Sequence, residues 1–298
     1  MTVLAQLEVK RMKPLLSVVI CVRNGEKSVS SCIESLLNQT FRDFEIVIVD
    51  DASNDRTVEI ISRFKDQRIK CLRNKEWFGI PKSRNIGLKK ASGKYIFFTD
   101  ADCTVSKNWI EEGLSCFADY CVGVEGRIIY VSENYQPAFS DYVMENRNGG
   151  QFMTANVAYR RDTIETVGGL DERIKYRTDR DLGFKIIKHG KVCFNKNMIA
   201  VHPQVILTPK RLISMASAIE DRAYLFRRFG DKALISWRIM NPFNLAKIFA
   251  PELILTSLFF NRFRRKEDFK LLPYTYVYAV LERLHLWKAC AKERVFLI

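Results

Sequence analysis

The sequence predicts an α/β fold on a mostly parallel sheet, and three observations carry that prediction. Short apolar runs rich in β-branched residues alternate with segments of helical spacing through the first two-thirds of the chain. Asn24, Asp51, Asp100 and Asp102 fall at the carboxyl ends of those runs, where open α/β sheets bind ligands. The chain has 298 residues, 47% hydrophobic and 28% charged, a globular composition long enough for a sizeable core.

Leu15 to Val22 reads as a buried strand, and Asn24-Gly25 as the loop that leaves it. Ser28 to Asn38 has helical spacing at Val29, Cys32, Ile33, Leu36 and Leu37. Phe44 to Val49 is a second strand, ending at Asp50-Asp51. Thr57 to Phe64 is predicted helical, Ile69 to Leu72 a short strand, and Ser83 to Lys90 another helix after the tight Gly79-Ile80-Pro81 loop. Tyr95 to Thr99 returns to the sheet, and Thr154 to Tyr159 is expected to be a further strand.

Asp100-Ala-Asp102 follows the Tyr95 to Thr99 run directly. In extended backbone residues i and i+2 point to one side, so both carboxylates can face one hard cation. Such a cation can be held against a diphosphate. Asp-x-Asp pairs are also common in solvated loops, so the pair gains weight only from its position.

The net charge of +14 is uneven. Residues 1–200 hold 31 Lys and Arg against 26 Asp and Glu, whereas residues 201–298 hold 17 against 8. A boundary near Pro203 to Pro209 rests on that shift and on the prolines. Eight cysteines (Cys21, Cys32, Cys71, Cys103, Cys116, Cys121, Cys193, Cys290) are scattered with no Cys-x-x-Cys pair. They read as buried reduced thiols rather than a disulfide framework or zinc site. Met1 to Pro14 lacks an apolar stretch of signal-peptide length, so a cytoplasmic protein is expected.

Several blocks together resemble glycosyltransferase family 2. They are Ser17 to Asn24, Leu36 to Phe41, Ile48 to Thr57, Lys82 to Gly87 and Thr99 to Asp102, then Thr154 to Arg161, Gly168 to Glu172 and Thr178 to Leu182. The resemblance covers residues 15–203 and implies the Rossmann-like nucleotide-diphospho-sugar transferase (GT-A) fold, a mostly parallel sheet flanked by helices. Its expected division is a catalytic domain over 1–204, with a donor half near 15–103 and an acceptor half near 104–204, followed by a basic helical extension over 205–298.

The activity so implied is inverting, metal-dependent transfer of a sugar from a UDP- or GDP-linked donor to a hydroxyl of a glycan or lipid-linked acceptor. The resemblance puts Val22, Asn24, Asp51, Arg84, Asn85 and Asp100 against the donor. Asp51 would accept the ring N–H of the base; its other reading is an acid capping the helix that starts near Thr57, a role also open to Asp55. Arg84 would lie over the diphosphate, or on the surface beside Lys82, Lys89 and Lys90. Asp102 is expected to ligate Mn²⁺ or Mg²⁺, with Asp100 contacting ribose or supporting the metal, and His202 as a further ligand or a structural histidine.

The family pattern places the base at the second acid of a Glu-Asp pair. Thr178 replaces that glutamate here, and Asp179 remains as the expected base, flanked by Arg177 and Arg180, whose pairing with it would weaken it. Asp179 and Asp181 could instead serve only the first turn of a helix. Asn146 to Gly150 reads as a segment that orders on donor binding, and Arg160 and Arg161 as contacts for an anionic acceptor or solvated charge.

The last third has no motif that carries chemistry. Leu212 to Phe229 is amphipathic; Ile239 to Phe260 is apolar but interrupted by Asn241, Pro242, Lys247, Pro251 and Glu252; Asn261 to Lys266 is basic; and Leu271 to Trp287 is rich in Leu, Tyr and Trp. The expected partner of this region is an anionic membrane surface at the cytoplasmic face, or else it packs on the catalytic domain. A nucleotidyltransferase would carry a glycine-rich phosphate loop, which Cys21 to Gly25 is not. A purely basic binding protein remains as the non-enzymatic reading; no nucleic-acid partner is expected.

Overall fold

The computed structural model describes residues 13–117, 121–230 and 263–295. Its centre is an eight-stranded sheet: β1 (Leu16–Val22), β2 (Phe44–Asp50), β3 (Ile69–Arg73), β4 (Tyr95–Thr99), β5 (Thr104–Val105), β6 (Cys121–Tyr130), β7 (Asn156–Arg160) and β8 (Lys191–His202), in the order β3-β2-β1-β4-β7-β6-β8-β5. β1 pairs in parallel with β2 and β4, and β2 with β3, whereas β7 runs antiparallel to β4 and β6. The strand order therefore reverses direction at β1 and β4, which opens a crevice at their carboxyl ends.

Helices flank the sheet: α1 (Val29–Leu37), α2 (Thr57–Ser62), α3 (Ile80–Lys90), α4 (Trp109–Ser115), α5 (Arg161–Thr166) and α6 (Thr178–Ile186). β2 is buried along its whole length, Glu45 and Asp50 included, because a strand covered on both faces has no solvent side; such strands read as near-continuous apolar runs. Val29, Cys32, Ile33 and Leu36 form the inward stripe of α1, packed with Val18, Ile20 and Ile48 in one core cluster. Val19, Val47, Phe98 and Tyr159 belong to a second cluster, which includes Leu182 and Ile186 of α6.

Beyond β8 come α7 (Pro209–Ser214), a 3₁₀ turn (Met215–Ile219), α8 (Glu220–Phe229) and the 28-residue helix α9 (Lys266–Glu293). α9 packs on α8 and the 3₁₀ turn through Ile219, Ala223, Leu286, Ala289 and Cys290. Asp268 near its start accepts the Ser140 backbone N–H at 2.7 Å, and Arg265 donates to Asp141 at 2.9 Å, which fastens α9 to the segment after β6. The Ile239 to Phe260 stretch lies outside the described residues. Among those described, no helix is long and apolar enough to cross a membrane.

Two expectations are corrected. Cys121 and Cys193, 72 residues apart, are joined as a disulfide with Cα atoms 6.6 Å apart; they lie on the paired strands β6 and β8, diagonally placed, with Lys191 and Val124 as their register partners. Cys71 is exposed on β3, while Cys32, Cys103 and Cys290 are buried as expected. The Asn146 to Gly150 segment is pinned: Glu125 of β6 accepts from the backbone N–H groups of Gly150, Gln151 and Phe152 at 2.6 to 2.9 Å and from the Asn146 side chain at 3.2 Å. Gly149 and Gly150, both at φ +78°, supply the backbone conformation this wrap requires. Glu125→Ala strands those donors, so chemical denaturation should show a loss of about 3 kcal/mol; a change under 1 kcal/mol would mean that water replaces the carboxylate easily.

Candidate functional site

The donor-side residues converge at the switch point. Val22 closes β1, and its carbonyl accepts the Asp51 N–H at 2.8 Å, tying the ends of β1 and β2 together. Asn24 turns the chain at φ 52°, donates its N–H to Ser53 Oγ at 2.9 Å and accepts the Asn54 N–H at 3.0 Å. Asp55 accepts from the backbone N–H groups of Thr57 and Glu26, so the start of α2 is organised by Asp55 and not by Asp51.

Asp51, only 2% exposed, accepts from Asn74 and from the backbone N–H groups of Phe78 and Gly79 at 2.8 to 2.9 Å. Burial alone would raise its pKa, but these bonds, with Ser83, hold it below the ordinary carboxylate value. Its Oδ2 takes one of these bonds and keeps a second lone pair. Beside it Arg23 stacks over Trp77 at 5.2 Å, and Trp77 is 63% exposed. Neither residue was singled out in the sequence. An exposed Trp next to a glycine-bounded loop was the available signal.

Arg84 is buried and donates to Asp100 Oδ1 at 2.6 Å, so it is no surface arginine. Asn85 faces the other half: its amide donates to the Leu170 carbonyl and to Glu172 at 2.9 Å and accepts the Leu170 N–H at 3.0 Å. Its side-chain hydrogen bonds clamp the Gly-Gly-Leu loop and do not run to Asp51 or Asp100.

Asp102, Cys103 and His202 bring their ligand atoms within 4.8 Å of one another. β8 delivers His202 to this point, since Tyr130 of β6 pairs with His202 and Val201 of β8 pairs with Thr104 next to the acidic pair. His202 Nδ1 lies 2.9 Å from the Pro203 carbonyl oxygen, which can only accept, so Nδ1 carries the proton. That bond turns Nε2 toward Asp102 Oδ2, 3.7 Å away, where it can serve as the ligand atom. Burial first, then the Asp100 charge, pushes the Asp102 carboxyl above its usual range. A carboxylate and an imidazole nitrogen suit Mn²⁺ or Mg²⁺ whose other positions are taken by phosphate and water; the buried Cys103 thiol, also pushed well up by burial, contributes no thiolate.

Asp179 stands in the first turn of α6. Its Oδ1 accepts the Arg180 N–H at 2.8 Å, and neither Arg177 nor Arg180 forms an ion pair with it within the described residues. Burial therefore prevails over the Arg180 N–H and the Arg84, Arg180 and Arg177 charges, and the carboxyl sits above its ordinary value. Asp181 is fully buried between Lys185 at 3.0 Å and Arg228 at 2.8 Å, a structural role. Arg160 donates to the Cys121 and Phe117 carbonyls and Arg161 to Glu165, so both are engaged away from the site.

A model of the family described as glycosyl transferase family 2 matches residues 17–169. A glucosyltransferase of Escherichia coli, UDP-Glc:alpha-D-GlcNAc-diphosphoundecaprenol beta-1,3-glucosyltransferase WfaP, is 28% identical over 201 residues, covering 64% of this chain and 77% of that protein. Among solved structures, S. aureus TarS 1-349 in complex with UDP superposes with a TM-score of 0.60 at 18% identity, over 95% of this chain and 91% of that one. The mannosyltransferase PcManGT from Pyrobaculum calidifontis, in complex with GDP-Man and Mn²⁺, superposes with a TM-score of 0.66 at 15% identity, over 93% and 88%. With the crevice at β1 and β4 and the matched blocks on either side of it, the chain belongs to glycosyl transferase family 2 and is a glycosyltransferase of the GT-A fold.

Proposed function

We propose that the enzyme transfers a hexose-type sugar, with inversion and with a divalent cation, from a UDP- or GDP-linked donor to a hydroxyl of a lipid-linked glycan. The observation that carries this reading is the meeting of Asp102 with Nε2 of His202 at the carboxyl end of β4, while Asp179, with no ion pair among the described residues, lies close enough to Arg84 for their charges to interact. Asp51 fixes the base through its remaining lone pair, and Trp77 and Arg23 offer a face beside it. Arg84, held by Asp100, meets the diphosphate. Asp179 accepts the proton of the acceptor hydroxyl as its oxygen bonds to C1 and the C1–O bond to the diphosphate breaks. Held by Asp102 and His202, Mn²⁺ or Mg²⁺ would supply charge neutralisation of the departing nucleoside diphosphate.

Release of UDP or GDP from a panel of nucleotide sugars, with and without Mn²⁺, tests this reading. One sugar nucleotide turned over in the presence of metal, with inverted product by NMR, is expected; retention at C1 or equal turnover in chelator would overturn it.

The lipid-linked acceptor is suggested by the name of the E. coli relative and fits the extension. Arg264 and Arg265 are bonded to Gln136 and Asp141, which leaves Arg265 unsuited to lipid. The exposed face of α9 instead carries Phe269, Tyr276, Leu284 and Trp287, flanked by the exposed Lys270, Lys288 and Lys292. We propose that this face rests on anionic lipid at the cytoplasmic side. Flotation with anionic vesicles should fall with salt and fall several-fold in Trp287→Ala; equal recovery with neutral vesicles would count against it.

A further inference from the structure

The segment leading into α6 carries Arg173, Lys175 and Arg177, the first turn of α6 carries Arg180, and α8 sets Arg222 and Arg228 against them. The carboxylates nearby are mostly committed. Asp171 is held by Arg173 at 2.6 Å and Arg228 at 3.1 Å, and Asp181 by Lys185 and Arg228. Asp221 accepts the backbone N–H groups of Tyr176 and Arg177 at 2.7 and 3.1 Å, which brings its chain neighbour Arg222 to the start of α6.

Arg177 and Arg180 form no ion pair among the described residues, and Arg177 Nε is buried with no hydrogen-bond partner. Arg222 is drawn toward Glu282 of α9, yet burial, then Arg177, pushes it down to about 10. Burial and Arg177 lower Arg180 as well. Arg222 is partnered, but its charge still opposes those of Arg177 and Arg180 in this half-buried place, and Arg177 Nε has no hydrogen-bond partner among the described residues, an unfavourable arrangement. A phosphate, with several oxygens and a planar match to each guanidinium, relieves it.

We propose that Arg177, Arg180 and Arg222 bind the phosphate of an anionic acceptor beside Asp179. The proposal rests on the reading of Asp179 as base, since it is this neighbour that makes the cluster an acceptor site; the donor diphosphate belongs at the ends of β1, β2 and β4. It assigns the anionic acceptor contact to α6 and α8 in place of Arg160 and Arg161.

Calorimetric titration with inorganic pyrophosphate in the presence of EDTA and saturating UDP tests the site, because the nucleotide occupies the donor position. Arg177→Gln, Arg180→Gln and Arg222→Gln should each weaken binding by about tenfold or more, Arg177→Lys by less, and Arg63→Gln just after α2 not at all. Unliganded Arg177→Gln and Arg180→Gln should melt no lower than the parent, since each removes repulsion. Titration with glycerophosphoglycerol identifies the source: tighter binding than pyrophosphate points to a polyol-phosphate chain, weaker binding to a diphosphate-linked lipid. Unchanged pyrophosphate affinity in the Arg177→Gln/Arg180→Gln double variant, or a lowered melting point in either single variant, would overturn the proposal. Absent turnover of every nucleotide sugar with pyrophosphate binding intact would sink the transfer reading alone.

Discussion

Asp179→Asn is expected to lower the rate of sugar transfer by about 10²- to 10⁴-fold while leaving nucleoside-diphosphate binding unchanged. The amide keeps the shape and can still accept the Arg180 N–H, but it cannot take a proton from the acceptor hydroxyl. Burial raises the Asp179 carboxyl, so the acid limb of kcat/KM in the parent should lie above the pH at which an ordinary aspartate titrates. A raised folded-state value means that the folded protein binds this proton more tightly than the unfolded chain. Stability from this group is therefore greatest below the ordinary aspartate value and is lost as pH rises toward the folded one. At neutral pH the carboxylate is a cost to folding, and the Asn variant should melt no lower than the parent. Transfer at the parent rate would transfer the base role to another acid.

The sheet could be read from the sequence because burial on both faces leaves β1, β2 and β4 as near-continuous apolar runs, and Tyr95 to Thr99 was placed to the residue. β6 escaped notice: Glu125, Gly126 and Arg127 interrupt its pattern, and only the fold shows that Glu125 holds the loop at 150–152. The 3₁₀ turn between α7 and α8 was likewise hidden, since its apolar spacing continues that of the helices on either side. Asp100 and Asp102 were legible as an acidic pair directly after a strand, but the expected extended geometry is not found: residues 101–102 form a turn, and Asp100 stands outside the Asp102, Cys103 and His202 group. Their separate fates were not legible: Arg84 and His202 come from residues far away in the chain, and it is those partners that give Asp100 an ion pair and Asp102 a histidine. The environment of Asp179 depended on tertiary packing too, since adjacent arginines in sequence do not pair with it in space.

That difference between Asp100 and Asp102 yields the second large effect. Asp102→Asn should reduce metal-dependent transfer by about 10³-fold, the loss of roughly 4 kcal/mol of charge stabilisation at the leaving diphosphate, and should move half-saturation to higher Mn²⁺. The variant is expected to stay folded, because burial and the Asp100 charge already oppose ionisation of Asp102. Its melting point without ligand should match or exceed the parent's, while the rise that Mn²⁺ plus UDP gives the parent should vanish. Asp100→Asn separates the two roles. It leaves the buried Arg84 without its carboxylate, so it should lower stability even with no metal present, by about 2 kcal/mol once partial exposure of Asp100 is allowed for. If Asp102→Asn kept the parent's Mn²⁺ dependence while Asp100→Asn lost it, the ligand would be Asp100, and the Arg84 pair would have to open when the metal binds.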